Sequence, residues 1–351
     1  MPDEICATCE VHRLSILAPD GTVDEALMPP LPEGEIRRMY ELMVLTRTFD
    51  QRAISLQREG RLGTYPPSLG QEAAQVGSAF AFQPGDWFFP SFREMGVQLT
   101  LGHPIHQILQ YWSGDERGQQ APPSLNLFPV CVSVGTHIPH AVGAAMAARY
   151  RHDPVAVAAW FGDGATSKGD FHEGLNMAGL FRLPIVFICQ NNQWAISVPV
   201  SGQTAAATLA QKAFSYGFEG VQVDGNDVFA VYRATRDALQ KARSGGGPTF
   251  IECLTYRVAD HTTSDDAGRY RSADEVAAWS ALDPLQRLER YMERCGLWSE
   301  AYAAETRQRA IDDIDAAVVA MEALAAPDPD DMFRYTMSLP GQRQVGQRKG
   351  G

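Results

Sequence analysis

Positive charge is scarce in this chain. Its 351 residues hold 30 Lys and Arg against 42 Asp and Glu, a formal net charge of −12, with no basic block anywhere. A nucleic-acid surface is thereby excluded, and an anionic ligand has to be met by a few cations placed where it binds. Long apolar runs are missing too: no stretch of eighteen apolar residues occurs, so no membrane span is expected. The opening MPDEICATCE has neither a basic leader region nor an Arg-rich amphipathic pattern, and a cytoplasmic location is expected. Cysteines number only six. Cys131, Cys189 and Cys253 sit in apolar runs and read as small reduced core residues, while Cys6 and Cys9 have no second pair at metal-site spacing. A third glycine is absent where a dinucleotide fingerprint needs one, since Gly162-Asp163-Gly164 is followed by Ala165, Thr166 and Ser167. No GxxxxGKS or GxxxxGKT phosphate loop occurs either, so a nicotinamide dehydrogenase ranks last among the readings.

What is present centres on Ala158 to Val198. An apolar run from Val155 to Phe161 breaks at Gly162-Asp163-Gly164. Phe171, Leu175, Ala178 and Leu180 then recur on a roughly helical period, and a second β-like run spans Pro184 to Cys189. This is a βαβ unit. In a parallel sheet it crosses over right-handed, so both strands end at one edge and bring Asp163 into one crevice with Asn191 and Asn192. Gly162 and Gly164 let the backbone turn and approach a ligand, and the next helix aims its first amides at the same place, which suits a phosphate. A hard cation completes such a site: Asp163, the side-chain oxygen of Asn192 and the backbone carbonyl of Trp194 supply three protein oxygens, a diphosphate and water the rest.

Gly162-Asp163-Gly164 followed by Asn191 and Asn192, 28 and 29 positions after Asp163, resembles the thiamine diphosphate motif. The wording GDGATSKGDFHEGLN…QNNQWAIS resembles the alpha subunit of the decarboxylase component of bacterial pyruvate dehydrogenase complexes, with similarity from about Met28 to Met337. The resemblance implies an α/β thiamine diphosphate-binding fold, a parallel sheet flanked by helices with a helical C-terminal segment, and thiamine diphosphate and Mg²⁺ as cofactors. It also implies roles. Phe92 and Arg93 match a Tyr-Arg pair that contacts the diphosphate, here with Phe for Tyr. Backbone groups at Val132 and Val134 address the aminopyrimidine, Val134 wedges the bent cofactor, and Gly162, Asp163, Gly164, Ala165 and Asn192 hold the diphosphate and metal. His261, in a polar loop after a strand expected over Thr249 to Tyr256, matches the family's active-site histidine. A lone loop histidine is otherwise commonly incidental. Oxidative decarboxylation of pyruvate is implied, with a beta subunit in an α2β2 assembly and a lipoyl-bearing acyltransferase as partners. The same branch includes enzymes of branched-chain 2-oxo acids and acetoin, and a non-catalytic subunit of the same fold is the alternative of another class.

The rest of the chain reads as frame. Residues 1–30 look like an arm, 31–326 like one α/β domain and 327–351 like a loose tail. Helices are expected over Glu33 to Glu59, from Leu69 onward, and over Val228 to Arg243 with Asp227 as its N-cap. Through Ala273 to Ala326 two apolar helical faces appear, one of Leu282, Leu285, Leu288 and Tyr291, another of Ile311, Ile314, Val318 and Met321. The loop from Ala259 to Ser272 has few apolar residues and is expected to order only when cofactor and metal bind. His103 and His106 lack a third ligand and read as surface.

Overall fold

A computed structural model describes residues 3–334, 338, 339, 341 and 346; the rest of the segment read as a loose tail lies outside the described residues. Among the described residues nine strands form: β1 Arg13–Leu14, β2 Trp87–Phe89, β3 Asn126–Leu127, β4 Val157–Gly162, β5 Ile185–Asn191, β6 Trp194–Ala195, β7 Val198–Pro199, β8 Glu219–Asp224 and β9 Thr249–Leu254. Seven of them build one sheet in the order β1-β8-β9-β5-β4-β2-β3, and every pairing in it is parallel. β4 and β5 are buried along almost their whole length, as strands covered on both faces are.

Alternation along β4 sorts its side chains onto two faces. Val157, Ala159 and Phe161 pack with Ile185, Phe187 and Phe250 beneath Ile138, Ala141, Phe171 and Leu175. These come from α5, His137–Arg151, and α6, Gly169–Leu180. On the other face Ala158, Trp160, Val186, Ile188 and Ile251 meet Ala74, Val231, Ala238 and Leu239. Those belong to α2, Glu72–Phe80, and α8, Val228–Arg243; between α2 and α5 the chain also forms α3, Met95–Leu101, and α4, Ile105–Trp112. The first helix, α1, spans Glu33–Arg58 and lies outside α2, burying Met39, Met43 and Val44 against Val76 and Phe229. Gly60, at φ +75°, ends that turn where a side chain would be strained.

Ala273 to Ala326 forms α9 Ala273–Ser280, α10 Pro284–Arg294 and α11 Glu300–Glu322, with the two apolar faces on α10 and α11; the short α7 Val200–Gln203 lies earlier in the chain and α12 Asp331–Arg334 follows. Pro284 starts α10, so Leu282 falls in the turn before it and is 37% exposed, and Met292 takes the buried place. Ile311 likewise faces outward, whereas Ile314, Val318 and Met321 cover Phe49, Ala53 and Leu56 of α1. Within the stretch read as an arm, β1 pairs with β8 of this same chain. Asp227 anchors it: one carboxylate oxygen accepts from Ile16 N and Leu17 N at 2.6 and 2.7 Å, while the other caps α8 by accepting from Phe229 N and Ala230 N. Among the described residues no helix is long and apolar enough to cross a membrane.

Candidate functional site

The carboxyl ends of β4, β5 and β9 lie side by side, in the register Phe161↔Cys189 and Asn191↔Leu254. Ligands of open α/β sheets bind beyond such ends. There, a cavity of about 610 Å³ is lined by Phe92, Arg93, Val132, Val134, Gly162, Asp163, Gly164, Ala165, Asn192, Trp194 and His261. These eleven residues, all given a site role from the sequence, thus reach one space, and Asn191 does not.

Its floor is a set of oxygens. One end of the Asn192 carboxamide stands 3.3 Å from Asp163 Oδ1 and 3.1 Å from the Trp194 carbonyl; turned with its oxygen inward it offers a third ligand, and turned with its NH₂ inward it donates to both. Octahedral Mg²⁺ with oxygens at 2.0–2.1 Å places neighbouring ligands about 3 Å apart, so the spacing fits that ion. Among the described residues no three His, Cys, Asp or Glu side chains gather; the donors here are one carboxylate, one carboxamide and one peptide carbonyl, a set for a hard cation. Burial pushes the Asp163 carboxyl above the usual carboxylate range, against a hydrogen bond from Gln203 Nε2 to its Oδ2 at 2.6 Å. A cation would reverse that shift. Asn191, next along the chain, is turned away: its Nδ2 donates to Glu252 at 2.7 Å and its Oδ1 accepts from Gln193 Nε2 at 2.9 Å.

The hairpin of β6 and β7 closes over this floor. Gln193 and Ile196 take φ values of +74° and +54°, left-handed conformations that non-glycine residues adopt at a cost. They turn the Trp194 carbonyl inward. A Cβ on Gly164 would meet Ala195 Cβ at 2.8 Å, so the hairpin can rest on this turn only because residue 164 has no side chain.

One buried guanidinium, Arg93, lines the wall, and a second, Arg257, stands behind it. Arg93 donates through Nη1 to Pro67 O at 2.6 Å and through Nη2 to both Nδ1 and the carbonyl oxygen of His261 at 3.0 Å. Its guanidinium lies 5.4 Å from the centre of the Phe92 ring. Arg257 donates to Trp194 O at 3.1 Å, to Ile196 O at 2.8 Å and to His261 Nδ1 at 3.3 Å. Burial and the Arg257 charge lower Arg93 to about 10, and burial with both arginines lowers His261 to about 3. Two donors on Nδ1 leave the imidazole neutral with its proton on Nε2. The site is therefore locally cationic inside an acidic protein, a setting for an anion.

The loop after β9 carries a hydrogen-bond net of its own, which its low apolar content hid. Asp265 accepts from His261 N at 2.9 Å and from the Tyr270 hydroxyl, and Arg271 donates to the carbonyls of Arg257, Val258 and Ala259. Thr263 and Tyr65 exchange bonds of 2.9 and 3.0 Å. The loop thus has polar contacts of its own in place of apolar packing. At the mouth the side is open: Val132 and Val134 are 58% and 40% exposed.

Sequence reasoning passed over Arg257, Gln203, Glu94 and Gln190. Arg257 was legible as a cation at a strand end; the other three announce nothing by type or spacing. Glu94 accepts from Gln190 Nε2 at 2.8 Å on the cavity wall, and burial pushes it up to about 7.

A doubly covered parallel sheet with one cavity at its carboxyl edge is an open α/β architecture, and the chemistry of that lining suits an anion and a hard cation. The family of the dehydrogenase E1 component matches residues 40–330, and the chain belongs to it. It is 45% identical over 311 residues to the 3-methyl-2-oxobutanoate dehydrogenase subunit alpha of Mycobacterium tuberculosis, covering 88% of this chain and 85% of that one. It is 42% identical over 309 residues to the pyruvate dehydrogenase E1 component subunit alpha of Staphylococcus aureus, covering 88% and 84%, and 40% identical over 305 residues to that of Acholeplasma laidlawii, covering 87% and 88%. The chain is the alpha component of a 2-oxo acid dehydrogenase, a family that uses thiamine diphosphate.

Proposed function

We propose that this chain holds thiamine diphosphate and Mg²⁺ for the oxidative decarboxylation of a short aliphatic 2-oxo acid in the cytoplasm, with residues 31–326 as the cofactor-binding unit. The carrying observation is the Asn192 carboxamide end at 3.3 and 3.1 Å from the Asp163 and Trp194 oxygens, with the buried guanidiniums of Arg93 and Arg257 nearby. Asp163, Asn192 and the Trp194 carbonyl would hold the cation. Arg93 and the Nε2–H of His261 would bind diphosphate oxygens or the substrate carboxylate, and Gly162, Gly164 and Ala165 let the backbone approach. When bound, thiamine diphosphate supplies the nucleophilic carbon and the electron sink for loss of carbon dioxide. His261 serves as a neutral donor that orients substrate at the mouth. Val134 supports the cofactor, Val132 contributes its backbone, and their exposure marks where a beta chain would cover the cavity in an α2β2 assembly that passes the acyl group to a lipoyl-bearing acyltransferase.

For the substrate, Pro66, Trp112, Ala195 and Ile196 give the wall an apolar patch, beside Thr64, Ser91, Glu94, Gln190 and Thr262. The patch suits a branched aliphatic chain, so 3-methyl-2-oxobutanoate stands ahead of pyruvate, which is the second reading, and of acetoin. The test is carbon dioxide release by the alpha and beta chains with cofactor and a panel of these compounds; release from none of them rejects the assignment. Absence of any stabilisation by cofactor would instead favour a non-catalytic subunit of the same fold.

A further inference from the structure

We infer that Gln71, outside the ligand set, decides which end of the Asn192 carboxamide meets the cation; the inference rests on the metal reading given above. A carboxamide is nearly symmetrical in shape but not in chemistry. Its oxygen ligates a hard cation and its NH₂ cannot. Asn192 is buried, and its Nδ2 donates to Gln71 Oε1 at 3.1 Å. In this sense its oxygen faces Asp163 and the Trp194 carbonyl, and three electronegative ends converge. With the amide reversed, its NH₂ would donate to Asp163 Oδ1 at 3.3 Å and to Trp194 O at 3.1 Å. That arrangement satisfies both oxygens without any cation and puts a hydrogen-bond donor in the cation's place. The floor thus has two states: one takes a cation and keeps the bond from Trp194 N to the Asn192 oxygen at 3.3 Å, and the other excludes the cation and gives that bond up.

Gln71 selects between them. It is fully buried, lines the cavity, and has its backbone fixed by Gln71 N to Ser68 O at 2.9 Å and Gln75 N to Gln71 O at 3.1 Å. Only its side chain is left to turn. With Oε1 toward Asn192 it favours the ligating state; with Nε2 toward Asn192 it would accept the excluding one. In the observed sense Nε2 is buried and has no partner among the described residues. A free buried donor on a cavity wall costs free energy until an acceptor arrives. A ligand oxygen that pairs with Nε2 fixes Gln71, and through it Asn192, in the sense that binds metal. Gln71 is therefore a positioning residue that ties the anion's arrival to the cation's.

Mn²⁺ is the probe, counted free by electron paramagnetic resonance against the chain assembled with its beta partner and saturated with thiamine diphosphate. Gln71→Met is expected to weaken Mn²⁺ binding on the order of ten-fold, with the metal-free melting temperature unchanged. Gln71→Glu presents only acceptor oxygens, keeps the Asn192 NH₂ turned toward it, and is expected to bind within about three-fold of native or tighter. Were Gln71 a mere space filler, the order would invert: Met would be mild and the buried carboxylate of Glu harmful. That inverted order overturns the proposal, and if Gln71→Met fails to fold, a Glu variant that melts like native yet binds Mn²⁺ more than about ten-fold more weakly does so alone. Native assembly that binds no Mn²⁺ overturns the metal reading itself.

Discussion

One nitrogen of Arg93, Nη2, donates to both the ring Nδ1 and the carbonyl oxygen of His261, each at 3.0 Å. The arginine therefore fixes at once where the histidine stands and which of its nitrogens carries the proton. With Arg257 on the same Nδ1, the imidazole has no site for a second proton without displacing a guanidinium. A histidine held this way offers its Nε2–H as a donor.

His261 is lowered to about 3 in the folded chain by burial, Arg93 and Arg257, against an ordinary value near 6.5. The unfolded state then takes up the proton first as pH falls, so the histidine's contribution to stability is complete above about 6.5 and is lost progressively toward 3. Melting temperatures of native chain and His261→Gln, compared at pH 8 and pH 5, are expected to show native losing more on acidification. An equal loss would mean the ring titrates normally.

Gln203 should act on the metal through Asp163. Its Nε2 lies 2.6 Å from Asp163 Oδ2, opposite the oxygen turned toward Asn192. Gln203→Met is expected to weaken divalent-cation binding by about 10–100-fold, as loss of a partner behind a ligand does. Asp163→Asn should abolish cation-dependent binding of thiamine diphosphate, and calorimetry with and without Mg²⁺ reads both.

Phe92 carries the Arg93 charge on its ring face, 5.4 Å from the guanidinium. Phe92→Tyr keeps the ring and should leave cofactor affinity within about three-fold, whereas Phe92→Ala removes an interaction of about 1 kcal/mol and should weaken it by roughly five-fold. Fluorescence titration with thiamine diphosphate separates the two. The hydroxyl that the sequence lacks here is then not what holds the diphosphate.

Asp227 is a structural prediction of a different kind. Four backbone N–H groups, those of Ile16, Leu17, Phe229 and Ala230, end on its carboxylate. Asp227→Ala is expected to cost roughly 2–4 kcal/mol, a lost cap plus buried donors left unpaired. It should also open residues 13–28 to limited proteolysis; intact protection of that stretch would contradict the anchoring.

The βαβ core was readable because period, glycines and turn chemistry all agree between Val155 and Asn192. So was the cap at Asp227, since an aspartate ahead of an apolar helix has one dominant use. What escaped depended on distant parts of the chain meeting. Gln203 lies 40 positions after its partner Asp163, and a glutamine carries no pattern that announces a partner. Residues 13–28 were opaque for the same reason: their two-residue strand owes its existence to β8 and to Asp227, more than 200 positions away. In the C-terminal third, periodicity marked the apolar residues, but Pro284 set the phase and turned Leu282 outward.

The account turns on one shared ion. Crystals of the alpha and beta chains with thiamine diphosphate and Mn²⁺ in place of Mg²⁺, with data collected for anomalous scattering, would locate it. The expected result is a single peak per alpha chain within ligand distance of Asp163, the Asn192 side-chain oxygen and the Trp194 carbonyl. Mn²⁺ bound elsewhere, with the Asn192 NH₂ donating to Asp163, would contradict it.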